Sequence, residues 1–101
     1  MLEAEWQRKV INYARDRGWF VAHFTAAKSS RGRWVTPVAA DGAGFPDLVL
    51  VRERVVFAEL KREGGKLRAQ QEVWMSKLRW AGATHFVWEP SDWDDVKDEL
   101  K

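Results

Sequence analysis

Asp47-Leu48-Val49-Leu50-Val51, Arg52-Glu53-Arg54 and Val55-Val56-Phe57-Ala58-Glu59-Leu60-Lys61 follow one another without a break in the middle of this 101-residue chain. The two outer segments are β-branched, apolar and of strand length, and the charged tripeptide between them reads as a turn, so the stretch predicts a β-hairpin. A turn centred on Glu53 pairs Val51 with Val55. Counting outward by twos sets Val49 against Phe57 and Asp47 against Glu59, because side chains on one sheet face recur with period two. Lys61 follows Glu59 on that same face. Directly opposed residues hold their Cβ atoms roughly 4.5–5.5 Å apart, and like charges so placed repel. The Asp47/Glu59 pairing therefore calls for a cation. A hard divalent ion such as Mg²⁺ or Mn²⁺, held by one or two carboxylates together with waters and phosphates, fits it. Lys61, one step along the strand, is placed to orient a bound water or to offset charge on a phosphate.

Working outward, residues 2–17 read as an amphipathic helix with Trp6, Val10, Tyr13 and Ala14 on its apolar side, stopping at Gly18. Residues 19–24 read as a strand, and residues 25–44 as a loop containing a short hairpin. A loop of that length inside a compact domain usually has a function. Beyond the central hairpin, Gly64-Gly65 breaks the strand. A helix begins near Arg68, with Gln71, Trp74, Met75 and Leu78 as its inward stripe, and ends at Gly82. Residues 84–88 form another strand. Pro90-Ser91 opens a last helix, Ser91 and Asp94 forming a variant capping box and Trp93, Val96 and Leu100 sharing a face. The order α-β-β-β-α-β-α, with a parallel crossover in its second half, predicts an α/β fold: a mixed four-stranded sheet flanked by helices, one domain over residues 1–101.

Composition narrows the chemistry. Seven Trp and five Phe make an aromatic core, and no cysteine is present, so disulfides, thiolate zinc sites and a Cys nucleophile are excluded. No leading apolar region and no run of eighteen apolar residues occurs, which predicts a cytoplasmic protein without a membrane span. Net charge is only +2, yet it is segregated. Lys28, Arg31, Arg33, Arg52, Arg54, Arg62, Lys66 and Arg68 crowd the middle, while Asp92, Asp94, Asp95, Asp98 and Glu99 gather at the end. Such a distribution suits a polyanion over the central segment. Lys28, Arg31, Arg33, Trp34, Lys66 and Arg68 are the candidate nucleic-acid contacts, Trp34 adding an aromatic face for base stacking. His23, just before the long loop, is a further candidate for phosphate or water.

Gly44-Phe45-Pro46-Asp47, Glu59-Leu60-Lys61 and Gln71 with Trp74, in that order, resemble the VRR-Nuc branch of the PD-(D/E)XK nucleases, and the resemblance runs from Glu3 to the last helix. It implies a restriction-endonuclease-like core and a metal-dependent DNA endonuclease. Asp47, Glu59 and the Leu60 backbone carbonyl would bind Mg²⁺ or Mn²⁺, with Lys61 and Gln71 catalytic. The branch also carries a glutamate on its first helix. Glu3 fits that role better than Glu5, since Glu3 lies on the stripe of Trp6 and Val10, whereas Glu5 aligns with Arg8, Lys9 and Asn12. Gln7 shares the inward stripe. Compact members of the branch, many of them phage-borne, include junction-resolving enzymes. Branched DNA of the Holliday-junction type, or duplex DNA, is thus the expected partner, and a homodimer the expected assembly in a bacterial or phage-infected cytoplasm. Two alternatives stay open: a catalytically silent DNA-binding module of the same fold, and a restriction- or repair-type nuclease.

Overall fold

The computed structural model describes residues 1–25, 27–28, 30–35 and 38–101, without the side chains at 27, 28, 34 and 35. The elements in order are α1 (Glu3–Asp16), β1 (Phe20–His23), β2 (Ala27–Lys28), β3 (Trp34–Val35), β4 (Leu48–Val51), β5 (Val55–Leu60), α2 (Ala69–Trp80), β6 (His85–Trp88), a 3-10 turn (Pro90–Asp92) and α3 (Trp93–Leu100). The central hairpin has the expected register, Val51 opposite Val55 and Val49 opposite Phe57. Its turn is closed by the Arg52 N–H donating to the Arg54 carbonyl at 3.1 Å. The four-stranded sheet runs β1-β4-β5-β6 and is mixed, with β6 parallel to β5 and the other pairs antiparallel. The short hairpin expected in the long loop is β2-β3, pairing Lys28 with Trp34.

The two sheet faces are filled differently. Leu48, Leu50, Val56, Ala58 and Leu60, alternating along β4 and β5, are fully buried with Trp6, Val10 and Ala14 of α1 and Val96 and Leu100 of α3. Apolar burial of this kind contributes roughly 1.5–3 kcal/mol per large side chain. Two buried indoles also need acceptors, and both find a distant backbone: Trp6 donates to the Trp88 carbonyl at 3.0 Å and Trp19 to the Leu100 carbonyl at 2.8 Å. These bonds tie α1 and the turn after it to the far end of the chain.

The opposite face, carrying Val49 and Phe57, lies under α2, whose Met75 and Leu78 are buried. Phe45 is the hub on this side. It makes edge contacts with Phe24 at 5.0 Å, Trp74 at 5.0 Å and Phe57 at 6.3 Å between centroids. Trp74 donates its indole N–H to the Asp41 carbonyl at 3.0 Å, so α2 holds both ends of the segment leading into Asp47.

Three expectations are corrected. Trp19 is not part of the first strand: its N–H bonds the Ala14 carbonyl at 3.0 Å, which turns the residue back into the core before β1 begins at Phe20. The last helix starts at Trp93, after the 3-10 turn. The Ser91/Asp94 capping box does not form, because Glu63 takes both Ser91 groups, the N–H and the hydroxyl each at 2.9 Å. Asp92 instead caps the turn, accepting from the Glu89 N–H at 2.8 Å. Among the described residues no helix is long and apolar enough to cross a membrane.

Gly44 has a positive φ of 81°, and a Cβ there would collide with the Gln70 backbone at the start of α2. The glycine therefore serves both the chain reversal and the close approach of this segment to the helix. Gly44→Ala should lower stability by about 1–3 kcal/mol, measured by urea unfolding. A change inside experimental error would show that the helix tolerates a side chain there.

Candidate active site

The β4-β5 ladder ends at Leu48 and Ala58, and one further step of the same register places Asp47 opposite Glu59. Their environments are unequal. Glu59 is 1% exposed, whereas Asp47 is half-buried at the mouth of β4. Asp47 Oδ2 accepts the Leu60 N–H at 2.9 Å, across the strand gap beyond the last ladder pair. Because N–H and C=O of one strand residue point to the same side, the Leu60 carbonyl is directed toward Asp47 as well. The Leu60 side chain fills the opposite face of the sheet, in the core.

Glu59 is held by two partners. Gln71 donates its amide to Glu59 Oε2 at 3.0 Å, and the Lys61 ammonium lies 3.6 Å from that same oxygen. The Gln71 amide is itself fixed, since its carbonyl accepts the Arg68 N–H at 2.8 Å in the first turn of α2. Gln71 thus satisfies a free helix-terminal donor with one end and orients Glu59 with the other. Glu59 Oε1 is different: it is buried and has no donor. Such an orphan is rare in folded proteins and is commonly explained by a bound water or ion.

Electrostatics bears this out in the same direction. Burial, and then the neighbouring Asp47 charge, push the Glu59 carboxyl up to about 8. Burial also raises Asp47, against the lowering effect of the Leu60 N–H. Two opposed acids with raised proton affinity, one of them with an oxygen that has no donor, form a donor set that suits a hard cation.

The pair opens into a cavity of about 280 Å³ lined by Glu3, Gln7, Phe24, Thr25, Asp47, Glu59, Lys61, Arg68 and Gln71. Glu3 and Gln7 are half-buried on its α1 side, while Glu5 is exposed. Glu3 does not join the two acids as a third close carboxylate, for among the described residues no group of three or more potential ligands is assembled. Arg68 reaches the cavity, and Lys66, Arg31, Arg33 and His23 are exposed. His23 is near enough for its charge to act on Asp47. The side chains of Lys28 and Trp34 lie outside the described residues. The sequence reading missed Phe24 and Thr25. Their signal was the β1-β4 pairing, which continues one step as the Phe24 N–H donates to the Asp47 carbonyl at 2.8 Å. A larger cavity of about 530 Å³ beside β6 and α3 is lined by Asp92, Asp95, Asp98 and Glu99 and would repel a polyanion.

The family profile of the VRR-NUC domain matches residues 25–89, which include Asp47, Glu59, Lys61, Gln71 and Trp74 but not α1. The chain belongs to the VRR-NUC family. Two solved structures share the fold. One, a VRR_NUC domain, is 25% identical, covering 92% of this chain and 95% of its own, with a TM-score of 0.60. The other, a VRR_NUC domain protein, is 23% identical, covering 99% of this chain and 85% of its own, with a TM-score of 0.68. No curated protein sequence matches. As a VRR-NUC chain, this is a nuclease-type domain of the PD-(D/E)XK class.

The raised carboxyls set the sign of a pH effect. Between its ordinary value of 4.5 and about 8, Glu59 holds more proton in the folded protein than in the unfolded one. Stability on this account is full below that window and falls as pH rises through it. In the presence of a chelator, the melting temperature should drop between pH 5 and pH 8, and Glu59→Gln should flatten the drop. Thermal scans that stay level for the wild type across this range would contradict the assignment.

Proposed function

We propose that this VRR-NUC domain is a divalent-metal-dependent DNA endonuclease, acting on branched DNA of the four-way-junction type. The observation that carries the reading is Glu59 Oε1, a buried carboxylate oxygen without a donor, on the residue that the hairpin register sets opposite Asp47. Asp47, Glu59 and the Leu60 carbonyl would hold Mg²⁺ or Mn²⁺, which supplies Lewis-acid activation of water and charge neutralisation on the scissile phosphodiester.

The remaining work falls to the chain's own groups. Gln71 keeps Glu59 in one orientation, so the acid need not reorganise when substrate arrives. Lys61, 8% exposed and beside Glu59, presents an ammonium in a site of low dielectric. It orients the incoming water and offsets the negative charge that grows on the phosphate. Glu3 and Gln7 line the same cavity as Gln71 and act through water. Arg68 at the cavity, with Lys66 and the Arg31/Arg33 cations of the β2-β3 turn, contacts the phosphates on either side of the cut. Among the described residues one pair of opposed acids opens into such a cavity, so cutting two strands of a junction calls for a symmetric pair of chains.

Asp47→Ala should fold normally, bind Mn²⁺ at least tenfold more weakly by calorimetry, and show no Mg²⁺-dependent cleavage. Lys61→Met should keep the ion yet lose about 10²–10³-fold in cleavage rate. Persistent cutting by purified Asp47→Ala would remove the mechanism, and a wild type that takes up no Mn²⁺ would leave a DNA-binding module. Offered duplex, flap, single-stranded and four-way DNA with Mg²⁺, the wild type should cut the four-way substrate fastest. Equal rates on plain duplex would favour a restriction-type nuclease.

A further inference from the structure

α2 has a second face that the site does not use. Its inward stripe is Gln71, Met75 and Leu78, and the direction opposite to that stripe, at 100° per residue, carries Ala69, Val73, Ser76 and Trp80. Val73 is 55% exposed and Trp80 91%, the highest exposure of any large apolar side chain among the described residues. Beside Val73 lies a groove of about 580 Å³ lined by Ala40, Asp41, Ala43, Gln70, Val73, Trp74 and Lys77. An exposed indole and an apolar groove on one helix face, seven residues apart, form a knob and a hole that a single chain cannot bring together.

From this we infer that the outward face of α2 pairs two copies of the chain about a two-fold axis, the helices antiparallel and each Trp80 seated in the groove beside the other copy's Val73. The spacing supports the arrangement. With the axis passing between Ser76 and Lys77, residues 73 and 80 stand at the same height, because their distances from that midpoint are equal. The charges support it as well. Glu72 and Arg79 share one flank of the helix at opposite ends, and a two-fold of this kind brings like flanks together. Glu72 of each copy then meets Arg79 of the other, and the helix dipoles run in opposition. Lys77, on the other flank, recurs across the axis, and Asp41 in the same groove is the acid placed to offset it. A nucleic-acid partner is less suited to the face, since its cations sit at the negative end of the helix dipole and Glu72 and Asp41 border the apolar strip. The inference adds the contact surface to the reading in which two copies act on one junction. Its tests read mass and cross-linking rather than cleavage, so the two stand or fall separately.

Sedimentation velocity at tens of micromolar should give a wild-type dimer, and Trp80→Glu, at a site already in solvent, should raise the dissociation constant at least tenfold with unchanged circular dichroism. Glu72→Arg and Arg79→Glu should each weaken the dimer, and the double variant should recover it. Ser76 lies beside the axis. At interhelical spacings of about 8–10 Å, its Cα atoms in the two copies fall within the roughly 4.4–6.8 Å that a disulfide spans. The native chain has no cysteine, so Ser76→Cys should give a covalent dimer on mild oxidation, whereas Asp94→Cys on α3 should not. A monomeric wild type, a dimer indifferent to Trp80→Glu, or equal cross-linking from both cysteines overturns the inference. A monomer whose DNA affinity falls with Trp80→Glu would also overturn it and assign the face to nucleic acid.

Discussion

Burying a carboxylate at the end of an interior strand is costly unless something restores what water supplied, and β5 buries Glu59 almost completely. Only one of its two oxygens is provided for. Oε2 has the Gln71 amide and the Lys61 ammonium, while Oε1 has no donor, and a second acid, Asp47, stands opposite the residue across the strand gap. A fold selected for stability alone would gain by replacing this cluster with apolar side chains of similar volume. Keeping it leaves two acids under strain at the strand end, and the upward push on both carboxyls expresses that tension as proton affinity. The arrangement of the other elements can be understood as what is needed to hold that tension still.

The division of labour between the sheet faces follows. Behind the sheet, α1 and α3 close a core whose buried members are all apolar and in which two tryptophans bond distant carbonyls. In front, the aromatic contacts among Phe24, Phe45, Phe57 and Trp74 fasten the Gly44–Pro46 approach to α2, so Asp47 enters its strand from a fixed direction. α2 contributes its N-terminal turn to the site and its middle to this aromatic layer. Gly44 lets the two segments touch. The geometry of the acids on the front thus rests on a stiff back, and a substitution in either layer acts on the acids through different residues.

Much of this was legible because it depends on local periodicity. The Asp47/Glu59 register needed only the alternation of β4 and β5 and the length of the Arg52-Glu53-Arg54 turn. The choice of Glu3 over Glu5 needed only helical spacing, and Glu3 is the one that lines the cavity. Gln71 stood out as a polar residue on an apolar stripe. The sequence was silent where partners come from far along the chain. Ser91 looks like a helix cap until Glu63, 28 residues earlier, takes both of its groups. The Asp47 bond to the Leu60 N–H, the Gly44 approach to Gln70 and the turning of Trp19 into the core have no signature in periodicity, since each is set by tertiary packing.

α2 is where these threads meet, because one twelve-residue helix presents a polar anchor inward and an apolar strip outward. Its inward anchor, Gln71, is in the first turn, next to the acids; its outward knob, Trp80, is at the last residue. A pairing through the outward strip would therefore set the two first turns, and with them the two pairs of acids, at opposite ends of the contact, separated by at least about 18 Å, the length of the helix. The sites would share no residue and would each keep their own opening. Assembly and the acid pairs would then be coupled only through the rigidity of α2, so under the proposed function a change at its outer face would alter which strands are cut together without altering the acids that would cut each of them.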